Sequence, residues 1–415
     1  MVHASTVIGV ATTFLSFIAS STATYDAAGK TNVALYYGQG SGQARLRHFC
    51  DQTENDIIPL AFLNRFLAQG NGYPGSNFGD QCAATVYNAP GYHGVDDDAH
   101  NYLLSSCAYL PADIAYCQSL GKKVLLSLGG ATPANGIPTY ALANAQEGTD
   151  LANFVWGAYG PYTATWAAKG LPRPFDYTDS NGIVQHVVVD GFDLDIESSS
   201  SSDGYVSFIT TLRALFGTTG YLITGAPQCV VPDANMGDVI QRAKFDIIWV
   251  QFYNTASCSA RNWVDHNPNF DDTHVESSSG FTYNAWASYL EGGASKDAKL
   301  YIGLMGGNTP LAGNPSDYLD PAAEVTPLLE AYHCHPSFGG VMIWEATYAD
   351  ENEVNSIPFQ MQIKNILSSI DENICPGSTV SSSTTKTGSA TSTALSCTAA
   401  PVTTCATSAI TIRPI

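Results

Sequence analysis

In the stretch VVVDGFDLDIE, residues 187–197, four acids stand within eight positions: Asp190, Asp193, Asp195 and Glu197. Asp193, Asp195 and Glu197 occupy alternate positions, so on a strand they project from one face while Phe192, Leu194 and Ile196 take the other. Val187, Val188 and Val189 read as the start of that strand, buried on both faces, with Glu197 as its last residue. Asp190 has the wrong alternation for the acidic face and reads as structural. Burying even one unpaired charge costs several kcal/mol. Stacked carboxyls therefore cannot all ionise, and at least one keeps a proton near neutral pH. A carboxylic acid held protonated is what general-acid catalysis needs. Cleavage of glycosidic bonds is the reaction class in which carboxyls with split roles recur. A cation site is the competing reading, but EF-hand spacing is absent and a hard cation recruits more oxygen ligands from loops. The cluster HCH at positions 333–335 reads as a disulfide cysteine between surface histidines. No metal and no other cofactor is expected.

Aromatic and amide residues end several other apolar runs: Tyr36, Tyr37, Gln39, Asn64, Gln228, Gln251, Tyr253, Asn254 and Trp344. Flat rings and amides suit neutral sugars. The elements that must position them are eight strand-like runs of the buried type. They are NVALYYG (32–38), DIIPLAFLN (56–64), KKVLLSLGG (122–130), HVVVDGFDLDIE (186–197), YLITGAP (221–227), FDIIWVQFYN (245–254), KLYIGLMGG (299–307) and FGGVMIWEA (338–346). Helical segments such as VSFITTLRALFG and PAAEVTPLLEAYH separate several of them. Eight strands with helical crossovers predict an α/β fold, a (β/α)₈ TIM barrel. A doubly wound sheet is the alternative, but no Gly-rich dinucleotide or phosphate loop follows the first strand. In such a barrel active sites sit at the C-terminal mouth, which would place Glu197 there with Asp195 and Asp193 beneath it.

The bulk numbers fit an exported enzyme of neutral ligands. Hydrophobic residues make up 45% of the 415, and 17 Lys and Arg stand against 37 acids, a formal charge of -20. Nucleic acid and anionic membranes need basic patches, so neither is expected as a partner. Residues 1–23 read as a secretory signal peptide, with an apolar core at 7–19 too short to span a bilayer. Ten cysteines, an even count, point to disulfides in an oxidising compartment. From residue 376 to 396 a Ser/Thr-rich tract lacks the apolar bulk to fold, and reads as a disordered linker or O-glycosylated stalk. Residues 397–415 form a short tail without a GPI-type hydrophobic end, in which Cys397 and Cys405 are spaced to close a loop. The folded unit is therefore 24–375. It is expected to be a monomer, secreted and associated with a cell wall through the stalk.

The motifs then carry a resemblance. DGFDLDIE matches the D-x-x-D-x-D-x-E signature of glycoside hydrolase family 18, and SLGG (127–130) resembles its second motif. AFLN, GAPQC, VQFYN and ALYYGQG look like the plant-type, or class III, branch that fungi also use for chitinases. The likeness covers roughly residues 31–344. It implies a secreted endochitinase acting on chitin or chitin oligosaccharides, retaining and assisted by the substrate's own acetamido group, a known exception to the two-carboxylate scheme. By that resemblance Glu197 is the general acid, and Asp195 orients the acetamido group. Asp193 shares a proton with Asp195, Ser127 supports the pair, and Tyr253 binds the acetamido oxygen. Trp344 floors the sugar site, while Tyr36, Gln39, Asn64, Gln251 and Asn254 match positions lining the cleft. Glu345 is the one other strand-end acid that could serve as a protein nucleophile. The branch also implies the disulfides Cys50–Cys117, Cys82–Cys107 and Cys229–Cys258; Cys334–Cys375 follows by elimination. Two alternatives remain: an endo-β-N-acetylglucosaminidase of N-glycans, and a non-catalytic chitin-binding barrel of the lectin kind.

Overall fold

The structure, a computed structural model, describes residues 24–70, 72–82, 103–105, 107–131, 139–198, 200–218, 220–270, 276–371 and Cys375. The expected signal peptide, the Ser/Thr-rich tract and the short tail lie outside the described residues. The chain divides into two units, Met1–Glu372 and Asn373–Ile415, and of the second only Cys375 is described.

Each of the eight apolar runs contributes one strand: β1 (Asn32–Leu35), β2 (Ile57–Leu63), β3 (Lys123–Gly130), β4 (Gly191–Ile196), β5 (Leu222–Gly225), β6 (Ile247–Gln251), β7 (Lys299–Met305) and β8 (Phe338–Trp344). Neighbours in the chain pair in parallel, and β8 returns to β1 to close the barrel. A helix follows every strand, from Leu46–Asp51 after β1 to Ala346–Glu351 after β8. This is the expected (β/α)₈ barrel. Among the described residues no helix is long and apolar enough to cross a membrane.

Two hydrophobic clusters show how the alternation works. Phe192, Leu194 and Ile196 belong to the larger one, between the barrel and its helices, with Leu126, Leu128, Val155, Phe208 and Leu212. The smaller cluster fills the barrel interior with Ala34, Leu125, Leu222, Trp249, Tyr301 and Met342. Every second residue of β4 is thus committed to the helix layer by hydrophobic burial. The intervening Asp193 and Asp195 have only the interior left to face.

The boundaries of β4 differ from the sequence expectation. Val187 and Val189 are buried, but the strand begins at Gly191. The main chain of the preceding run is taken elsewhere. Val189 N–H donates to Tyr159 O at 3.0 Å, Gln118 Nε2 to Val188 O at 2.7 Å, and Arg173 to Val187 O at 3.1 Å. With these groups so occupied, the valine run leads up to β4 without joining the ladder. Glu197 accordingly stands one residue beyond the last strand position.

The disulfides Cys50–Cys117, Cys82–Cys107 and Cys229–Cys258 are all present, and Cys334 and Cys375 are also disulfide-bonded. Leu194 is 1% exposed and holds β4 onto the helices from between the two inward aspartates. Leu194→Ala should cost about 2–5 kcal/mol, as large-to-small core changes do. Denaturant unfolding measures this directly; a loss well under 1 kcal/mol would show that β4 is not held by this packing.

Candidate active site

Asp193 lies at the heart of the barrel with no solvent exposure. Its neighbours across the sheet are Ser127 on β3 and Thr224 on β5, each in register with it. Ser127 Oγ donates to its Oδ2 at 2.5 Å and Thr224 Oγ1 to its Oδ1 at 2.7 Å. The Tyr36 hydroxyl from the end of β1 donates to Oδ2 at 2.6 Å while accepting from Trp249 Nε1 at 2.9 Å. Burial still lifts the carboxyl above its usual range, against the pull of these hydroxyls.

Asp195 sits one pleat higher, 4% exposed, opposite Gly129. That glycine has φ +113°, and a Cβ there would collide with the Asp195 carbonyl, so only glycine lets β3 approach β4 this closely. Gln251 Nε2 donates to Asp195 Oδ1 at 2.9 Å, to Ala226 O at 3.0 Å and more weakly to Glu197 Oε1 at 3.4 Å. Burial holds the Asp195 carboxyl far above the carboxylate range, reinforced by the charges of Glu197 and Asp193. Burial likewise raises Glu197. A hydrogen bond also links these two acids. The two carboxyls therefore hold a proton between them and titrate as a pair.

The sequence places a shared proton between Asp193 and Asp195. In the structure Asp193 accepts from three hydroxyls, and its charge raises Asp195.

Above the pair opens a cleft of about 290 Å³ lined by Gln39, Asn64, Asp195, Glu197, Gln251, Tyr253, Asn254 and Trp344. Phe62 and Trp344 stack with ring centroids 5.7 Å apart and form an aromatic platform. Burial, then the charges of Asp195 and Glu197, raise the Tyr253 phenol well above its ordinary value, so it stays neutral and can donate. Tyr36, expected in the wall, is 1% exposed and lies below it. Its inward alternation and its bond to Asp193 place it in the layer beneath. Asp190, off the acidic face, joins strands at the opposite end through Val124 N–H at 2.9 Å and Lys123 at 3.2 Å.

Glu345 does not line the cleft. It is 1% exposed and accepts from the N–H groups of Thr347 at 3.0 Å and Tyr348 at 3.2 Å, capping the helix Ala346–Glu351. Burial pushes its carboxyl up to about 7. The described residues of the lining include only two acids, Asp195 and Glu197.

Several contributors escaped the sequence reading. Thr224 and Trp249 lie on the inward alternation of β5 and β6, a pattern that would have exposed them had it been carried from β4 to its neighbours. Tyr140 offered no such signal, because it stands in a loop. Its hydroxyl donates to Gly130 O at 2.6 Å and accepts the Glu197 N–H at 2.9 Å, tying the ends of β3 and β4 together beneath the acid.

Comparison with known proteins places this geometry. The chain is 43% identical over 353 residues to Endochitinase A of Aspergillus niger, covering 84% of this chain and 25% of that protein. It is 40% identical over 385 residues to Endochitinase A1 of Aspergillus fumigatus, covering 89% of this chain and 42% of that one. The chain thus spans well under half the length of these relatives. Among solved structures, a chitinase from Ipomoea carnea superposes with a TM-score of 0.55 at 26% identity, over 81% of this chain and 99% of that one. A xylanase and amylase inhibitor protein does so with a TM-score of 0.56 at 26% identity, over 81% and 97%. The family model "Glycosyl hydrolases family 18" matches residues 32–318, a span that runs from β1 past β7 and contains the acidic strand, so the chain belongs to glycosyl hydrolase family 18.

Proposed function

We propose that the protein is an endochitinase that hydrolyses β-1,4 links between N-acetylglucosamine units with net retention, assisted by the substrate's acetamido group. The observation that carries this reading is the pair Asp195–Glu197, both raised by burial, opening onto a cleft whose described lining holds no third carboxyl. Glu197 gives its proton to the glycosidic oxygen as the C1–O bond breaks. The acetamido carbonyl oxygen attacks C1 from the other side, forming a cyclic oxazolinium ion. Asp195, left anionic as the shared proton departs, faces the positive charge and holds the acetamido N–H. The neutral Tyr253 hydroxyl donates to the acetamido oxygen, and the platform of Trp344 and Phe62 supports the sugar ring. Water then attacks C1 as the C1–O bond of the oxazolinium ring breaks, restoring the acetamido group, and gives its proton to Glu197. No protein nucleophile is required, because Glu345 is committed to a helix cap.

The similar fold of an inhibitor protein keeps a binding-only function in view, and the intact acid pair speaks for catalysis over it. The domain is further proposed to lie in residues 24–375, ahead of the Ser/Thr-rich stalk, and to work as a monomer outside the cell. Its disulfides fit an oxidising compartment.

The product profile tests the proposal. Purified protein should release short oligosaccharides from colloidal chitin and leave N-glycoproteins uncut; the reverse pattern would make it an endo-β-N-acetylglucosaminidase, and no products from either would make it a binding protein. Glu197→Gln should keep its far-UV spectrum and bind chitin oligosaccharides while kcat falls about 10²–10⁴-fold, the usual loss for a positioned general acid. Retention of a tenth or more of wild-type kcat would assign the acid role elsewhere. The pH dependence carries a sign. The active form of the pair holds one proton, and both carboxyls are raised. Activity should therefore persist above the ordinary carboxylate range and fall only as pH rises through the raised pKa. A kcat/KM profile already lost at mildly acidic pH on rising would contradict the shared proton.

A further inference from the structure

The amides of the cleft are not free to present either end. Gln39 Nε2 is surrounded by the carbonyl oxygens of Gly38 at 2.6 Å, Ala61 at 2.8 Å and Asn77 at 3.1 Å. Gln251 Nε2 is held by the Asp195 carboxyl and the Ala226 carbonyl. A carbonyl can pair only with the nitrogen end of an amide, so both side chains are left with their oxygens to offer. Asn254 is held the other way round. Its Oδ1 accepts the Asn314 main-chain N–H at 2.7 Å, a bond only the oxygen can make, and the unused end is the NH₂ group.

The segment that imposes this lies on a different strand. Residues 313–317 follow β7, while Asn254 follows β6. Asp317, 4% exposed, accepts the Asn254 main-chain N–H at 2.9 Å and Asn314 Nδ2 at 3.3 Å through the same Oδ2. Asn254 sits at φ 64°, a left-handed conformation that Asn and Asp tolerate far better than most residues. Gly313, at φ +142°, packs its backbone where a Cβ would press on Asn254 Oδ1. Backbone, carbonyl end and neighbouring loop are thus fixed together.

We propose that Asn254 is a specificity residue that reads the sugar chain as a hydrogen-bond donor only, with Asp317 as the positioning residue that sets this polarity. The assignment rests on the chitinase reading above. The group it recognises is an oxygen with lone pairs, an acetamido carbonyl or a hydroxyl. A protonated amine at the same place has no lone pair to offer and meets a donor face to face.

Asn254→Asp is the discriminating change. Aspartate keeps the shape, tolerates the positive φ and retains an oxygen for the Asn314 N–H, but replaces the donor by an acceptor. Asn254→Gly keeps the backbone conformation and removes the side chain. Binding of the N-acetylglucosamine tetramer, a neutral probe, is measured calorimetrically in the Glu197→Gln background. The expected order of dissociation constants is parent, then Gly, then Asp, with Asp weaker than parent by about tenfold or more, the scale of one lost hydrogen bond with an opposed acceptor. Asp317→Ala in otherwise wild-type protein should raise KM with little change in kcat, whereas a merely structural role would lower the amount of active enzyme and leave KM unmoved. Binding by Asn254→Asp equal to the parent's would overturn the donor assignment while leaving the chitinase reading intact. A parent that binds no tetramer at all would overturn both.

Discussion

A carboxyl group withdrawn from water must find donors or keep a proton, and the inward face of β4 withdraws two at once. The barrel meets this demand with register. Ser127 and Thr224 are the in-plane neighbours of Asp193 on either side, and Tyr36 closes the third direction with its own hydroxyl braced by Trp249. Shifting either adjacent strand by one residue would turn the hydroxyls outward and leave the acid unpartnered. The deep carboxyl is thereby satisfied locally, and its field falls on the next one up. Asp195, buried and facing the charges of Glu197 and Asp193, is held far above the usual carboxylate range.

The rest of the site is arranged around Asp195 and Glu197. Gln251 ties the Asp195 carboxyl to the end of β5, and Tyr140 pins the main chain of Glu197 to the end of β3. Both acids are therefore held from strands on either side of their own. The barrel allows this because its ends converge, so that three consecutive strands deliver groups to one point. The same convergence lets the loop after β7 reach over to Asn254. Similar folds in a chitinase and an inhibitor protein show that the barrel alone does not decide between cutting and binding; the side chains at its mouth do.

The strands were legible because buried parallel strands are apolar along their whole length, and all eight runs became barrel strands. Their ends were less so. Leu35 ends β1, although the apolar run continues through Tyr37, and the valines before Gly191 give their main chain to side chains and loops. Ladder ends depend on which neighbour has a free carbonyl, a fact of three dimensions. The inward acids could be read from alternation alone, since hydrophobic burial of Leu194 leaves them no other direction. Alternation gives a face but not a depth, so it could not show that Tyr36 is 1% exposed and bonded to Asp193. The partners of Asp193 required knowing which strands adjoin β4, and Tyr140 required the path of a loop. Glu345, suspect by its place after Trp344, proved to serve the helix that begins beside it.

The mechanism stands or falls on whether the attacking atom belongs to the substrate. A direct test is the cleavage rate of N-acetylglucosamine oligosaccharides against fully deacetylated ones of the same length, each at saturation. With the acetamido oxygen as nucleophile, the deacetylated chain loses an intramolecular attack worth a very large effective concentration, and its kcat should drop by about a thousandfold or more. Comparable rates on the two chains would contradict substrate assistance and return Asp195 to consideration as a protein nucleophile.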